Sequence, residues 1–379
     1  MITAESFEAQ LDDLLARICY KLQISQTQHK VAEDRYTAIS RWLEADGSPL
    51  AAFWPAIYAQ GSLRIGTTVR PIARQEYDLD LVCEMQIDWR MIRRPVFLLD
   101  MVETRLREDD TYRTMLERKN RCVRVKYANE FHLDILPACP DPEAGNGCVL
   151  VPDREANDWK GSNPKGYAQW FESRAELLAK RFVERVEPLP MPEPTEFKLP
   201  LKRVVQLIKR WRDVAYNESR DDAPISIVLT TLVASHYNGE PSVGLALTNC
   251  LARIVETLPP TGERLIVWNP TNPEEDLSER WDEKPAAYEA FVSGISSLNK
   301  RWQELQHYRG QKLTTTLEQL FGEDETRSAL KEQAEYVTKA RSDLQLGVAR
   351  RTGLLVPISR PDSIPLRRNT FYGEPGLPS

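Results

Sequence analysis

The chain has 379 residues, of which 41% are hydrophobic, enough for one large bilobal unit or two domains with moderate cores. Its formal net charge of −6 argues against a broad basic surface for duplex nucleic acid. No stretch approaches the roughly 20 consecutive apolar residues of a membrane-spanning helix, and the N-terminus lacks a signal pattern. We therefore expect a cytoplasmic protein with no membrane role.

The first predicted element is a mostly uninterrupted helical region from residue 4 to about residue 45. Its apolar residues recur at the spacing of one helix face. They are Phe7, Leu11, Leu14, Leu15, Ile18 and Leu22. A helix of this length is long enough to act as a spine for the fold.

A glycine–serine pair at Gly61 and Ser62 follows this helical region. Gly61 has no side chain, so backbone there can approach a triphosphate, and Ser62 offers a hydroxyl and an amide where a helix begins. Gly66 and Thr67 extend this surface, and the preceding Gln60 is a further candidate for nucleotide binding. An isolated glycine–serine pair is usually an ordinary turn, so its meaning depends on the residues that follow.

Two aspartates, Asp78 and Asp80, alternate along a predicted strand. In an extended chain residues i and i+2 face the same way, about 6 to 7 Å apart. The apolar Tyr77, Leu79 and Leu81 take the opposite face, which can be buried. Two carboxylates on one face repel each other unless cations lie between them, although an isolated Asp-x-Asp is usually a solvated strand edge or loop.

A third acid, Asp134, lies in a predicted strand over residues 131–136, which forms a hairpin with residues 122–127. Magnesium favours oxygen ligands, and two ions roughly 3.5 to 4 Å apart can activate an attacking hydroxyl and stabilise leaving pyrophosphate. We predict that Asp78, Asp80 and Asp134 are catalytic and hold two Mg²⁺ ions, with Mn²⁺ as a substitute. Asp134 would also accept the proton of the acceptor hydroxyl.

Between the aspartate pair and the hairpin, residues 96–107 predict a helix. Residues 141–200 are harder to place. They contain Trp159 and Tyr167, which are suited to contact a base or ribose but are equally typical of a structured surface loop. The proline-rich end of this segment predicts a linker or a rigid crossover.

The chain then becomes predominantly helical. Residues 201–213 place apolar side chains on one side of a helix, with Lys209 at the edge of that side. Lys209 can reach a triphosphate as a point charge, whereas periodicity alone favours a solvated helix residue. Residues 223–229 predict the start of a buried helix, in which Ser226 is either a cap or a phosphate ligand.

Residues 268–277 predict a turn-rich lead into another helix. These patterns predict an N-terminal helix with a catalytic lobe over residues 1–195 and a helical C-terminal lobe over residues 196–350. The proline-containing tail over residues 351–379 is predicted to be extended or mobile.

Together these motifs resemble the bacterial CD-NTases, relatives of cyclic GMP-AMP synthase and oligoadenylate synthase in the polymerase-beta-like superfamily. The resemblance covers most of residues 1 to about 345. It rests on Gly61-Ser62, Gly66-Thr67, Asp78-Leu79-Asp80, residues 133–137, Lys209-Arg210-Trp211 and Asn269-Pro270. It implies an α+β fold with a polymerase-beta-like catalytic lobe, built from a mixed sheet with helices, and a helical C-terminal lobe, joined by a long N-terminal spine helix.

The resemblance also implies a function. CD-NTases join nucleoside triphosphates, foremost ATP or GTP, into cyclic di- or trinucleotide second messengers for anti-phage defence, alongside regulatory or effector partners from the same operon. It implies that the three aspartates hold magnesium and that Ser62, Lys209 and Ser226 contact the donor triphosphate. The chain lacks the His-Cys-Cys-Cys zinc insertion of the animal sensor and is acidic, so activation by duplex DNA is not expected.

Three other classes stay open. A template-independent RNA-tailing polymerase would use the same acids but needs a basic track for RNA. An antibiotic-modifying nucleotidyltransferase has the acids and an acidic drug pocket, but is usually shorter. A catalytically dead binding protein would have no need of all three acids.

Overall fold

The computed structural model describes residues 4–72, 77–127, 131–145, 147–177, 198–342, 346–349, 355–357 and 363–365. The chain divides into two compact units, residues 1–21 with 323–379 and residues 22–322. These limits differ from the predicted segments 1–195, 196–350 and 351–379, whose first boundary lies outside the described residues.

The described residues form an α+β arrangement, as predicted. The helices are α1 (Ala4–Lys21), α2 (Gln26–Glu44), α3 (Gly61–Arg64), α4 (Phe97–Arg107), α5 (Asp110–Arg113), α6 (Pro164–Ala175), α7 (Pro200–Ala215), α8 (Ser226–His236), α9 (Val243–Glu256), α10 (Arg280–Glu283), α11 (Pro285–Leu305), α12 (Gly310–Phe321) and α13 (Glu323–Ser342). The strands are β1 (Ala56–Gln60), β2 (Tyr77–Glu84), β3 (Leu116–Arg118), β4 (Val123–Tyr127), β5 (Phe131–Pro140), β6 (Val149–Asp153), β7 (Asp158–Ser162), β8 (Trp268–Asn269), β9 (Asn272–Asp276), β10 (Leu346–Ala349), β11 (Leu355–Pro357) and β12 (Ser363–Pro365).

The larger unit is built on a seven-stranded mixed sheet with the path β1-β2-β5-β4-β3, extended by β6 on β5 and by β7 on β6. Strands β2 and β5 are parallel, whereas β1 pairs with β2 and β4 pairs with β5 in the antiparallel sense. Parallel neighbours need a crossover, and the chain between β2 and β5 includes α4, close to its predicted bounds. The predicted hairpin of β4 and β5 is confirmed.

One face of this sheet belongs to the main hydrophobic core. Leu79, Leu81, Leu133 and Ile135 alternate with polar residues and are at most 1% exposed. They belong to one cluster with apolar side chains of α2 and α4. Because strand side chains alternate between faces, burial of this face directs the intervening polar residues to the other face.

Helix α7 has the predicted apolar face, but its burial is not one-sided, because every residue from 204 to 211 is buried. The apolar face of α7 is confirmed, since Leu201, Val204, Val205, Ile208 and Trp211 are all at most 4% exposed. Residues 268–276 form the β8–β9 hairpin, followed by the short helix α10. The predicted lead into a helix therefore contains a hairpin that the polar, proline-containing sequence did not indicate.

The segment that was hard to place also contains regular structure. Trp159 lies in β7 and Tyr167 in α6, so the interpretation of this region as a surface loop is wrong. The proline-rich end of the segment lies outside the described residues. Among the described helices, none combines the length and apolar character needed to cross a bilayer.

The predicted uninterrupted helix of residues 4 to 45 is wrong at its centre. Helix α1 ends at Lys21 and α2 begins at Gln26. The amide of Gln28 donates to the Ser25 hydroxyl at 3.1 Å, and the Ser25 amide donates to the Gln28 side chain at 2.9 Å. This reciprocal capping box satisfies amides at the start of a new helix, and apolar spacing alone does not reveal it.

In the smaller unit, α1 packs beside α13. Glu332 of α13 pairs with Arg17 at 3.0 Å and with Lys21 at 2.6 Å. Strand β10 lies between β11 and β12 in an antiparallel sheet. Residues 355–357 and 363–365 of the predicted tail form β11 and β12, so the backbone of these two segments is extended. The rest of the predicted tail lies outside the described residues.

We predict that Ser25→Ala lowers the free energy of unfolding by about 1 kcal/mol, because the first turn of α2 loses its side-chain cap. Urea denaturation followed by circular dichroism measures the change. Thr27→Ala, an exposed position in the same turn, is the matched control and should change stability by less than about 0.5 kcal/mol. Equal losses in both variants would contradict the capping role.

Candidate active site

A row of polar residues crosses the open face of the sheet at one level. Gln60 of β1 pairs with Asp80 of β2, Asp80 with Asp134 of β5, and Asp134 with Arg124 of β4. Directly paired residues of neighbouring strands lie on the same face. Sheet register, rather than sequence proximity, therefore brings Asp80 and Asp134 together. Asp78 lies on the same face, one step along β2.

The guanidinium of Arg124 binds two of the three acids. Its Nε and Nη2 atoms donate to the two carboxylate oxygens of Asp134, each at 2.7 Å. The same Nη2 donates to Asp78 Oδ1 at 3.1 Å. Desolvation, with the negative charges of Asp134 and Asp78, raises the pKa of Asp80 to about 7.

The predicted glycine–serine turn lies against Asp80. Gly61 begins α3 with φ +62°, and a Cβ atom built on it would lie 2.3 Å from Asp80 Oδ2. Both the left-handed backbone and the close approach require glycine. Ser62, the next residue of α3, lies 3.3 Å from Thr68 through the two hydroxyl oxygens.

Helix α7 holds the loop that follows α3. Lys209 Nζ donates to the carbonyl and the hydroxyl of Thr67, both at 3.3 Å. Gln206 Nε2 donates to the Thr68 carbonyl at 2.9 Å. Lys209 is 7% exposed, which excludes the solvated alternative, and burial lowers the pKa of its ammonium to about 8.

Ser226 is the first residue of α8, whereas the N-cap position belongs to Ile225. The Ser226 hydroxyl therefore does not cap this helix, and it accepts a hydrogen bond from Arg212 Nη1 instead. Arg212 also pairs with Asp213. Lys209 and Arg212 lie three residues apart on α7 and so share one side of it.

A cavity of about 310 Å³ joins these groups, a size within the range of ligand pockets. It is lined by Gly61, Ser62, Ile65, Thr68, Val69, Pro71, Asp78, Asp80, Tyr167, Lys209, Arg212, Asp213, Ser226, Ile227 and Thr230. Six predicted site residues belong to this lining. Gln60 and Asp134 lie beside it in the sheet row, not in the lining itself.

The donor set fits a hard divalent cation. Carboxylate oxygens are the ligands that Mg²⁺ prefers. Burial, followed by the negative charges of Asp134 and Asp78, raises the pKa of Asp80. Where the structure describes the side chains, no three His, Cys, Asp or Glu groups converge as a finished metal cluster. Both oxygens of Asp134 face Arg124.

We compared the chain with known protein families and with characterised proteins. Residues 8–174 match the Second Messenger Oligonucleotide or Dinucleotide Synthetase domain. A c-di-GMP synthase of Roseivirga ehrenbergii is 33% identical over 380 residues, which cover 99% of this chain and 100% of that protein. The chain belongs to the bacterial CD-NTase family.

The chain is also similar, in both sequence and structure, to a second CD-NTase. The cyclic dinucleotide synthase CdnG of Bradyrhizobium diazoefficiens is 28% identical over 327 residues, 78% of this chain and 76% of that protein. Its structure in complex with GTP has a TM-score of 0.67 at 26% identity and covers 85% of this chain and 98% of that chain. The present CD-NTase is thus a nucleotidyltransferase with a polymerase-beta-like fold, as predicted.

Sequence reasoning missed three charged or polar residues of the site in this CD-NTase, Arg124, Gln206 and Arg212. The position of Arg124 could be predicted from the sequence, because a hairpin centred on residue 129 pairs residue 124 with residue 134. Arg212 shares a helix side with Lys209, but no local pattern relates it to Ser226. Gln206 is fully buried, although its polar side chain and its place in the helix do not indicate this.

We predict that Gly61→Ala lowers nucleotidyl transfer by at least about 100-fold, since the added methyl group must displace Asp80 and the backbone must leave its left-handed conformation. Pyrophosphate release measures the rate. Gly47→Ala is the matched control, because a Cβ atom there meets nothing within 4 Å. Near-normal activity of Gly61→Ala would contradict the close approach.

We also predict that Asp80→Asn stabilises the metal-free protein at pH 8. A carboxyl whose pKa rises from 3.8 to about 7 on folding contributes stability below pH 4 that is lost as the pH rises through 7. The uncharged amide of Asn does not ionise, so the variant keeps this stability at pH 8. We expect its free energy of unfolding to be higher by on the order of a few kcal/mol. Thermal melts in EDTA from pH 5 to 8 measure it.

The control for that experiment is Asp46→Asn, which changes an exposed carboxylate. Its melting curve should shift with pH as the unmodified protein does. If Asp80→Asn retained the same pH dependence as the unmodified protein, the raised pKa of Asp80 would be refuted.

Proposed function

We propose that the enzyme condenses nucleoside triphosphates, with GTP preferred, into a cyclic dinucleotide second messenger. The observation that carries the proposal is the meeting of three elements at one cavity: the two acids of β2, the Gly61 turn and the basic side of α7. Asp134 of β5 lies directly beside Asp80 in the sheet. The preference for GTP rests on two similar proteins, the c-di-GMP synthase of Roseivirga ehrenbergii and the CdnG structure with GTP.

The residues around the cavity suit a donor triphosphate. The Gly61 backbone and the Ser62 hydroxyl offer hydrogen bonds on one side, and Lys209, Arg212 and Ser226 do so on the other. Negative charge grows on the pyrophosphate as it leaves, and fixed positive groups stabilise that charge most in a partly desolvated site. We therefore assign Lys209 and Arg212 to the pyrophosphate.

The three aspartates, Asp78, Asp80 and Asp134, are proposed to hold two Mg²⁺ ions. When bound, such ions supply activation of the attacking hydroxyl and stabilisation of the leaving group. Asp134 is also proposed to take the proton of the acceptor ribose hydroxyl. Its partner Arg124 donates to this carboxylate on the open face of the sheet.

Ring closure requires two transfers. A ribose hydroxyl of one nucleotide attacks the α-phosphate of the other, and the first pyrophosphate leaves. The linear intermediate then turns, its remaining triphosphate becomes the donor, and the second attack releases the second pyrophosphate. We propose that one cavity serves both steps, and that the product acts as a signal in anti-phage defence.

We predict that incubation with labelled GTP and Mg²⁺ gives a small product that resists phosphatase, because a ring has no terminal phosphate. Mass spectrometry identifies the product, and ATP, CTP and UTP are tested in parallel. A product containing adenine would revise the base preference, a trinucleotide would revise the ring size, and ladders of increasing length would favour a tailing polymerase.

The same assay tests Asp134. Asp134→Asn should lower product formation by at least about 1,000-fold, the scale expected when an essential group of a transfer reaction is lost. Asp158→Asn alters an exposed carboxylate of β7 and should retain activity. Equal activities of the two variants would remove Asp134 from the mechanism.

A further inference from the structure

The contact between Arg124 and Asp134 occupies both oxygens of a carboxylate that is also proposed to bind a cation. Both oxygens of Asp134 accept from Arg124 at 2.7 Å. Such paired, charge-assisted hydrogen bonds are among the strongest that side chains form. The Asp134 side chain is 15% exposed and that of Arg124 is 19% exposed, so water weakens the contact less than at the surface.

Arg124 is also well placed to compensate more than one acid. Its Nη2 atom reaches Asp78 Oδ1 at 3.1 Å while it holds Asp134. Among the residues that the structure describes, Arg124 provides the salt bridges to both of these acids. The guanidinium thus lies between two of the carboxylates that are proposed to hold the cations.

We propose that Arg124 is an internal counter-ion that competes with the divalent cation for Asp134, so that a cation binds the acid row only by displacing the guanidinium. This inference rests on the proposed function in one respect, namely that the acids bind cations. It assigns Arg124 a positioning role that sets metal affinity, distinct from the donor-site role of Lys209 and Arg212.

The competition follows from charge and geometry. A guanidinium and a divalent ion that shared one carboxylate would repel each other strongly, because both are positive and only a few ångströms would separate them. Register fixes the Arg124 backbone opposite Asp134, so the long side chain must swing away when the cation arrives. Loss of the guanidinium leaves three acids with less compensation and should strengthen cation binding.

The test measures Mn²⁺ binding to the nucleotide-free protein by electron paramagnetic resonance of the free ion. Arg124→Gln should lower the Kd for Mn²⁺ at least 10-fold relative to the unmodified enzyme. Lys126→Gln is the matched control, because Lys126 lies two residues along the same strand face, pairs with Glu117 at 3.0 Å and is 50% exposed. It removes the same charge and should change the Kd less than about two-fold.

Two further variants strengthen the test. Arg124→Lys keeps the charge but cannot bind both oxygens in parallel, so its Kd should fall between those of the unmodified enzyme and Arg124→Gln. The double variant Arg124→Gln/Asp134→Asn should lose the tighter binding. Mn²⁺ should also raise the melting temperature of Arg124→Gln more than that of the unmodified protein.

An unchanged or higher Kd in both Arg124 variants would overturn the proposal. Should Arg124→Gln fail to fold, the Arg124→Lys result decides. These outcomes can be distinguished from a failure of the proposed function. If Arg124→Gln bound Mn²⁺ more tightly but the unmodified enzyme made no cyclic product, the counter-ion role of Arg124 would stand and the synthase function would be rejected. If the unmodified enzyme made a cyclic product but the Arg124 variants bound Mn²⁺ with an unchanged Kd, the synthase function would stand and the counter-ion role would be rejected.

Discussion

Mutual repulsion of the three carboxylates is the constraint on which the site depends. Neighbouring strands lie about 4.8 Å apart, and two like charges about 5 Å apart at an effective dielectric constant near 20 repel by about 3 kcal/mol. The sheet nevertheless holds Asp80 directly beside Asp134. The buried leucines and isoleucines of the opposite face stabilise this arrangement, because a change of register would move them out of the core.

The surroundings of the acids compensate their charge unequally. Asp134 has the guanidinium of Arg124, whereas Asp80 lies against the Gly61 backbone and keeps a raised pKa. Across the cavity, α7 fastens the loop after α3 through Gln206 and Lys209. The Gly61 turn therefore lies against Asp80 of β2, and the loop that follows it is hydrogen-bonded to α7.

The sequence predicted those elements in which apolar residues recur at one regular spacing. The helix near residues 97–107, the hairpin of β4 and β5, and the buried face of α7 each follow from regular apolar spacing. The break at Ser25, the β6–β7 pair and the β8–β9 hairpin were missed. Each is specified by capping, turn or polar residues whose effect depends on hydrogen-bond partners, and apolar spacing carries no information about such partners.

By itself, the sequence determined that Asp78 and Asp80 share a face, that Gly61 permits close approach, and that α7 has an apolar face that is buried. These are consequences of backbone geometry within a few residues. Only the tertiary structure decided that Arg124 binds Asp134, that Lys209 is buried on Thr67, and that Arg212 reaches Ser226. Such pairs depend on strand register and on the packing of helices against the sheet, which the whole chain determines through burial of its apolar faces.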